Sequence, residues 1–153
     1  MKEINLVTVG PLKDKNLQIV ESTYLKQTKN PKIKIYETRA FGEDVNAEAE
    51  SVIKKVDELS KNSKHHLILL TEHGKLMNTT EFSVWLTKLI ELKSRKIFFV
   101  IGGSSGLGEL LYKRADEKIS LSPLTFPHRI ARLLIIEQIY RAQTIRSGHP
   151  YSK

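Results

Sequence analysis

Five short apolar runs, separated by segments with helical spacing, divide this chain of 153 residues. That alternation limits its architecture to a few choices. INLVTV (residues 4–9) runs into Gly10-Pro11 and reads as a first strand. Leu17, Val20 and Tyr24 then recur at helical spacing until Asn30-Pro31 ends the helix. KIKIYET alternates Lys32, Ile33, Lys34 and Ile35, as a strand with one wet face does. Beyond a loop at 42–46, the positions Val52, Val56 and Leu59 predict a second helix. HLILLT (66–71) is a continuous apolar run, the pattern of a strand covered on both faces. Asn78-Thr79-Thr80-Glu81 has the form of a capping box, and Phe82, Trp85, Leu86, Leu89 and Ile90 follow on one helical face. KIFFVIG is a fourth strand, 109–115 a helix, KISLS (118–122) a fifth strand, and 127 to about 146 a last helix with Pro127 in its first turn. Strands alternating with helices predict an α/β fold: a mostly parallel sheet flanked by helices, in a single domain over 1–153.

A second constraint is charge. The formal net charge is +8, an excess that suits a polyanionic partner, because each neutralised phosphate releases counterions, and that also serves solubility alone. The chain contains no cysteine, which excludes disulfides, thiolate catalysis and cysteine-ligated zinc. His65, His66 and His73 could suggest a metal, but without cysteine or a carboxylate at a partner spacing none is expected. No run approaches the roughly 20 apolar residues of a membrane span, and the charged N-terminus is unlike a signal peptide. A soluble, cytoplasmic protein with no membrane partner is the expectation.

In parallel sheets ligands sit beyond the carboxyl ends of strands, here after Leu70, Ile101 and Ser120. The middle segment is VIGGSSGLGELL. It has no Lys followed by Ser or Thr, so it is not a P-loop, and Gly102, Gly103, Gly106 and Gly108 contain no G-x-G-x-x-G run. A tight strand-to-helix turn and a close approach to a ligand both remain open for it. The third segment, SLSPLTFPHR, offers backbone hydrogen bonds to an adenine, with Leu121, Leu124 and Phe126 around the ring.

LTEHGK, FFVIGGSSGL, ISLSPLTFPHRIARLLIIEQIYRA and GHPY occur in that order along essentially the whole chain. Together they resemble the SPOUT-class methyltransferases, and within them the ribosomal RNA large subunit methyltransferase H family, which methylates a pseudouridine in large-subunit rRNA. The resemblance implies a C-terminal deep trefoil knot, a homodimer, and S-adenosylmethionine held among the knotted loops. It implies cofactor contacts at Leu70, Gly102, Leu121, Ser122, Pro123, Leu124, Thr125 and Phe126.

The sulfonium carries the hard chemistry of such a reaction, so the protein has to place the acceptor nitrogen and assist loss of its proton. N3 of a pseudouridine is an imide nitrogen, protonated at neutral pH. His128 and Arg132 are therefore candidate catalytic residues, four apart and sharing a helix face. The alternatives are a helix-start hydrogen bond for His128 and a solvated, phosphate or dimer-interface role for Arg132. Glu137 and Arg141 have the spacing of an intrahelical ion pair. In the family the tail and its tyrosine help form the active site across the dimer, which makes Tyr151 a third candidate and His149 a substrate contact. Members often carry a histidine directly after that tyrosine, whereas this chain has Ser152, which offers no imidazole base at that position. Tyr24, Tyr36, Tyr112 and Tyr140 could stack bases or simply pack. A non-catalytic RNA- or ribosome-binding module of the same fold, and a small-molecule nucleotide-binding domain, are the competing functions.

Overall fold

The computed structural model describes residues 2–92 and 95–152. Its elements are β1 (Glu3–Val9), α1 (Lys15–Gln27), β2 (Lys32–Thr38), α2 (Val45–Ser60), β3 (His65–Leu76), α3 (Thr79–Glu91), β4 (Lys96–Ile101), α4 (Glu109–Arg114), β5 (Glu117–Ser120) and α5 (His128–Ser147). The five strands form one sheet in the order β2-β1-β4-β3-β5, and every pairing is parallel.

Both faces of the sheet are covered, and β4 shows how the sequence arranges this. Ile97, Phe99 and Ile101 join one core with Phe82, Leu86 and Leu89 of α3 and Ile135, Ile136 and Ile139 of α5. Phe98 and Val100 join the other, with Val52 and Val56 of α2 and Leu111 of α4. Alternate side chains of a strand point to opposite faces, so a continuous apolar run is what a doubly covered strand requires. Each of these side chains contributes about 1.5–3 kcal/mol by leaving water. The apolar wrap of α5 follows from this packing: Ile135, Ile136 and Ile139 are fully buried within the protomer, while Ile130, Leu133 and Leu134 are only partly covered.

Side-chain caps fix where helices begin. The Asp14 carboxylate accepts from the Asn16 and Leu17 amides, and Asp44 accepts from that of Ala47. At α3 the expected capping box is present, with Asn78 and Glu81 each accepting from the other's backbone N–H. Pro127 stands at the cap of α5, one position before the first helical residue.

The largest departure from the expected elements is β3, which reaches Leu76 instead of ending near Thr71. Its register against β5 shifts, so that Leu70 and Lys75 both pair with Ile119. The residues between bulge out at the carboxyl end of the sheet. Gly74 makes this possible, because a Cβ there would lie 2.5 Å from the backbone carbon of Ile119. Among the described residues, no helix is long and apolar enough to cross a membrane, and no group of three or more metal-ligating side chains is present.

Candidate functional site

The three segments singled out by the sheet argument converge on one cavity of about 420 Å³ at the carboxyl ends of β3, β4 and β5. One wall is Leu70, Thr71, Glu72 and His73, from the bulge of β3. A second runs from Ile101 through Gly102, Gly103, Ser104, Ser105 and Gly106 to Leu107. The third holds Leu121, Ser122, Leu124, Thr125 and Phe126, with His128 and Ala131 from the first turns of α5 and Tyr112 from α4. Of the expected cofactor contacts, Leu70, Gly102, Leu121, Ser122, Leu124, Thr125 and Phe126 thus line one space, and Pro123 is outside the lining.

Local hydrogen bonds hold the walls in place. The Ser122 hydroxyl accepts from the Leu124 amide at 3.0 Å, and the Ser120 hydroxyl donates to the Ser122 carbonyl at 2.9 Å. Thr125 Oγ1 donates to Glu72 Oε2 at 2.5 Å, joining the β5–α5 loop to the β3 bulge across the rim. The Tyr112 and Thr71 hydroxyls lie 3.3 Å apart. In the glycine loop, Gly106 has a φ of 91° and donates its N–H to the Gly103 carbonyl. A Cβ on Gly102 would meet the Gly106 carbonyl oxygen at 2.6 Å, so the tight turn itself demands glycine there.

Of the three candidate catalytic residues, His128 and Arg132 border one small cleft with Gly10, Pro11 and Gly102, and Tyr151 lies apart from them. His128 is exposed and borders the cavity, and among the described residues its ring makes no hydrogen bond. Arg132, one turn further on, is buried and does not line the larger cavity. Its guanidinium grips Glu21 through Nε (2.7 Å) and Nη2 (2.8 Å), and reaches Glu37 (2.6 Å) and Thr8 (3.3 Å) through Nη1. It therefore ties α5 to α1, β1 and β2. Burial disfavours the Arg132 cation, but the bonds to Glu21 and Glu37 outweigh it and raise the pKa further. Burial likewise pushes the Glu37 carboxyl up, and the hydrogen bonds from Arg132 and the Leu12 amide more than reverse this, holding it below the ordinary value.

Tyr151 lies away from the cavity, against the middle of α5. Its ring packs edge-on to Tyr140 and beneath the Arg141 guanidinium. Its hydroxyl donates to Glu137 Oε1 at 3.0 Å and lies 3.3 Å from the hydroxyl of Tyr24. Burial, then the bonds to Tyr24 and Glu137, push the phenol well above its usual range. Glu137 and Arg141 form the intrahelical ion pair, with Nε donating at 2.8 Å. The ring of His149 accepts from the Tyr151 amide at 3.2 Å, which folds the end of the tail.

Sequence reasoning missed Thr71, Glu72 and Leu107 in the lining, and Glu21 and Glu37 as partners of Arg132. The bulge after Leu70 could have been suspected from Thr71-Glu72-His73-Gly74, where polar residues and a glycine interrupt the apolar run. Nothing local marks Glu21 as buried.

A parallel sheet covered on both faces, with a cavity built from the loops after three of its strands, defines an α/β ligand-binding fold. The sequence profile of a family described as "Predicted SPOUT methyltransferase" matches residues 1–152, and the chain belongs to that family. Among its relatives, a protein of Listeria welshimeri is 41% identical over 157 residues, covering 98% of this chain and 99% of its own length. One of Prochlorococcus marinus strain NATL1A is 39% identical over 148 residues, covering 97% and 94%. Both are named ribosomal RNA large subunit methyltransferase H. Two solved structures share the fold at low identity. A probable methyltransferase from Bordetella pertussis Tohama I has a TM-score of 0.55 at 12% identity, over 92% of this chain and 94% of that one. The SpoU methyltransferase AviRb from Streptomyces viridochromogenes, in complex with AdoMet, has a TM-score of 0.50 at 11% identity, over 91% of this chain and 57% of that one.

Proposed function

We propose that this chain transfers a methyl group from S-adenosylmethionine to N3 of a pseudouridine in large-subunit ribosomal RNA, acting in the cytoplasm as a homodimer whose C-terminal region is knotted. The observation that carries the reading is the single cavity formed by the loops after β3, β4 and β5 in a chain whose full-length relatives bear the name of an rRNA methyltransferase.

The cavity suits such a cofactor in size, since sites for small molecules span about 300–1,000 Å³, and in its mix of apolar walls and backbone-rich polar loops. Leu121, Leu124 and Phe126 would flank the adenine, while backbone groups of the 121–126 loop other than those paired with the Ser120 and Ser122 hydroxyls would recognise its edge; Pro123 stiffens that loop behind the lining. Gly102 and Leu70 would close the other sides. When bound, the cofactor supplies an electrophilic methyl on a sulfonium. The chain's own task is to hold the imide nitrogen in line with that methyl and to draw off its proton; the acceptor in this reading is His128, and its position on the cavity wall supports the role. Arg132 acts as a positioning residue, since its bonds to Glu21 and Glu37 fix the first turns of α5 and so the location of His128.

Tyr151 does not reach the cavity of its own protomer. In the proposed dimer the tail of one copy completes the site of the other, with Tyr151, and His149 beside it, meeting the substrate.

Labelled S-adenosylmethionine incubated with purified large subunits lacking the modification tests the reading. Label at one rRNA nucleotide, in subunits but not in free rRNA, is the expected result. A folded, cofactor-binding protein that transfers no label would favour a binding module instead.

A further inference from the structure

A second cleft, of about 450 Å³, opens beside the cofactor cavity and is lined by Pro11, Leu12, Lys13, Asp14, Ser104, Pro127, His128 and Arg129. It occupies the crevice between the carboxyl ends of β1 and β4. The loop after β1 leads to α1 on one face of the sheet and the loop after β4 leads to α4 on the other, so this is a point where connections diverge and parallel sheets open a binding crevice. Among the described residues, only Ser104 and His128 line both spaces.

Three features of the cleft bear on its occupant. Its charge is net positive: Lys13 and Arg129 are exposed and, among the described residues, enter no ion pair, against the single Asp14 carboxylate, which is turned to the Asn16 and Leu17 amides. Its remaining surface combines the apolar side chains of Pro11, Leu12 and Pro127 with Ser104 and the His128 ring, and a base can bury its face against the apolar part. Its boundary with the cofactor cavity is a shared wall, as in-line displacement requires, because the acceptor must approach the methyl from the side opposite the departing sulfur. Arg132, the other cation at this end of α5, is held by Glu21, Glu37 and Thr8 and is not available to a phosphate.

We infer that this cleft is the acceptor-strand subsite: a single-stranded RNA nucleotide seats its base against Pro11 and Pro127 beside His128, and Lys13 and Arg129 hold the adjoining phosphates. The inference rests on the methyltransferase reading for its place in catalysis, but the binding it claims is measurable without turnover.

The test is equilibrium binding of a fluorescein-labelled single-stranded uridine hexanucleotide to the wild type, to a Lys13→Glu/Arg129→Glu variant and to a Lys13→Arg/Arg129→Lys variant across a salt series, with S-adenosylmethionine binding measured in parallel. The charge-reversed protein should bind the oligonucleotide about ten- to a hundredfold more weakly, with a log–log salt slope shallower by about 1.4, because roughly 0.7 counterion is released per single-strand phosphate contact. Its cofactor affinity should be unchanged, and the charge-conserving variant should bind RNA within about threefold of wild type, the contacts being to phosphate charge rather than to a fixed fork. Equal oligonucleotide affinity in wild type and reversed variant, no measurable binding by either, or equally tight binding of a polyglutamate peptide overturns the inference. Differential binding without any transfer to large subunits would instead sink the enzymatic reading and leave the subsite standing.

Discussion

Truncating Arg132 to alanine leaves the Glu21 carboxylate, 6% exposed, without a counterion. Removing one partner of a buried pair costs about 3–5 kcal/mol, and denaturant unfolding of Arg132→Ala should show a loss in that range. Arg132→Lys should fall between, since an ammonium cannot bridge Glu21 and Glu37 with the geometry of a guanidinium. The same network sets an acid limit. Glu37 titrates below its unfolded value, so its contribution to stability is complete above the ordinary carboxylate range, near pH 4.3, and disappears as pH falls through the depressed value. Acid unfolding of Glu37→Gln, followed by circular dichroism, should be less steep below about pH 4 than that of the wild type. The spacing of His128 and Arg132 told which residues share an α5 face, but not where a long side chain turns. The partners of Arg132 lie 111 and 95 residues away in sequence, and no local pattern carries such distances.

Among the elements, the β3 bulge carries the most consequence for the site. A methyl group at Gly74 would collide with Ile119 and separate the end of β3 from β5, and overpacking of this kind costs about 1–3 kcal/mol. Gly74→Ala should therefore weaken both thermal stability and cofactor affinity, measured by calorimetry on one sample. A variant that loses stability while keeping its cofactor affinity would show that the bulge does not shape the cavity. The strands and the capped α3 were legible in the sequence, because each obeys a local rule, periodicity or a capping residue; the glycine segment was legible only as a choice between a tight turn and a close approach to a ligand. The extra length of β3 was not, because residues 75–76 pair with β5 only after an interruption that reads as the end of a strand.

For the whole molecule, alternation of strands and helices was enough to foresee a parallel sheet with helices on both faces. The order β2-β1-β4-β3-β5 was not deducible, since it depends on which apolar faces meet across long crossovers. The proposed dimer makes a prediction at this scale. If Tyr151 of one copy serves the cavity of the other, His128→Ala and Tyr151→Phe proteins, each inactive alone, should recover about a quarter of wild-type methyl transfer when mixed and allowed to exchange subunits, because half the dimers are mixed and each of those has one intact site of two. No recovery from subunits shown to have exchanged would show that Tyr151 does not serve the cavity of the partner copy.

The central strand β4 has neighbours on both sides and cores on both faces, and its last residue opens directly into the glycine loop. A one-residue insertion or deletion within 96–101 would send every following side chain to the wrong face and displace Gly102 from the cavity at the same stroke. The turn at 61–64, at the opposite end of the sheet, faces no such penalty. Length variation among descendants of such a chain should collect in that turn and be purged from the central strand, so the evolutionary clock of insertions runs at different rates on the two ends of one sheet.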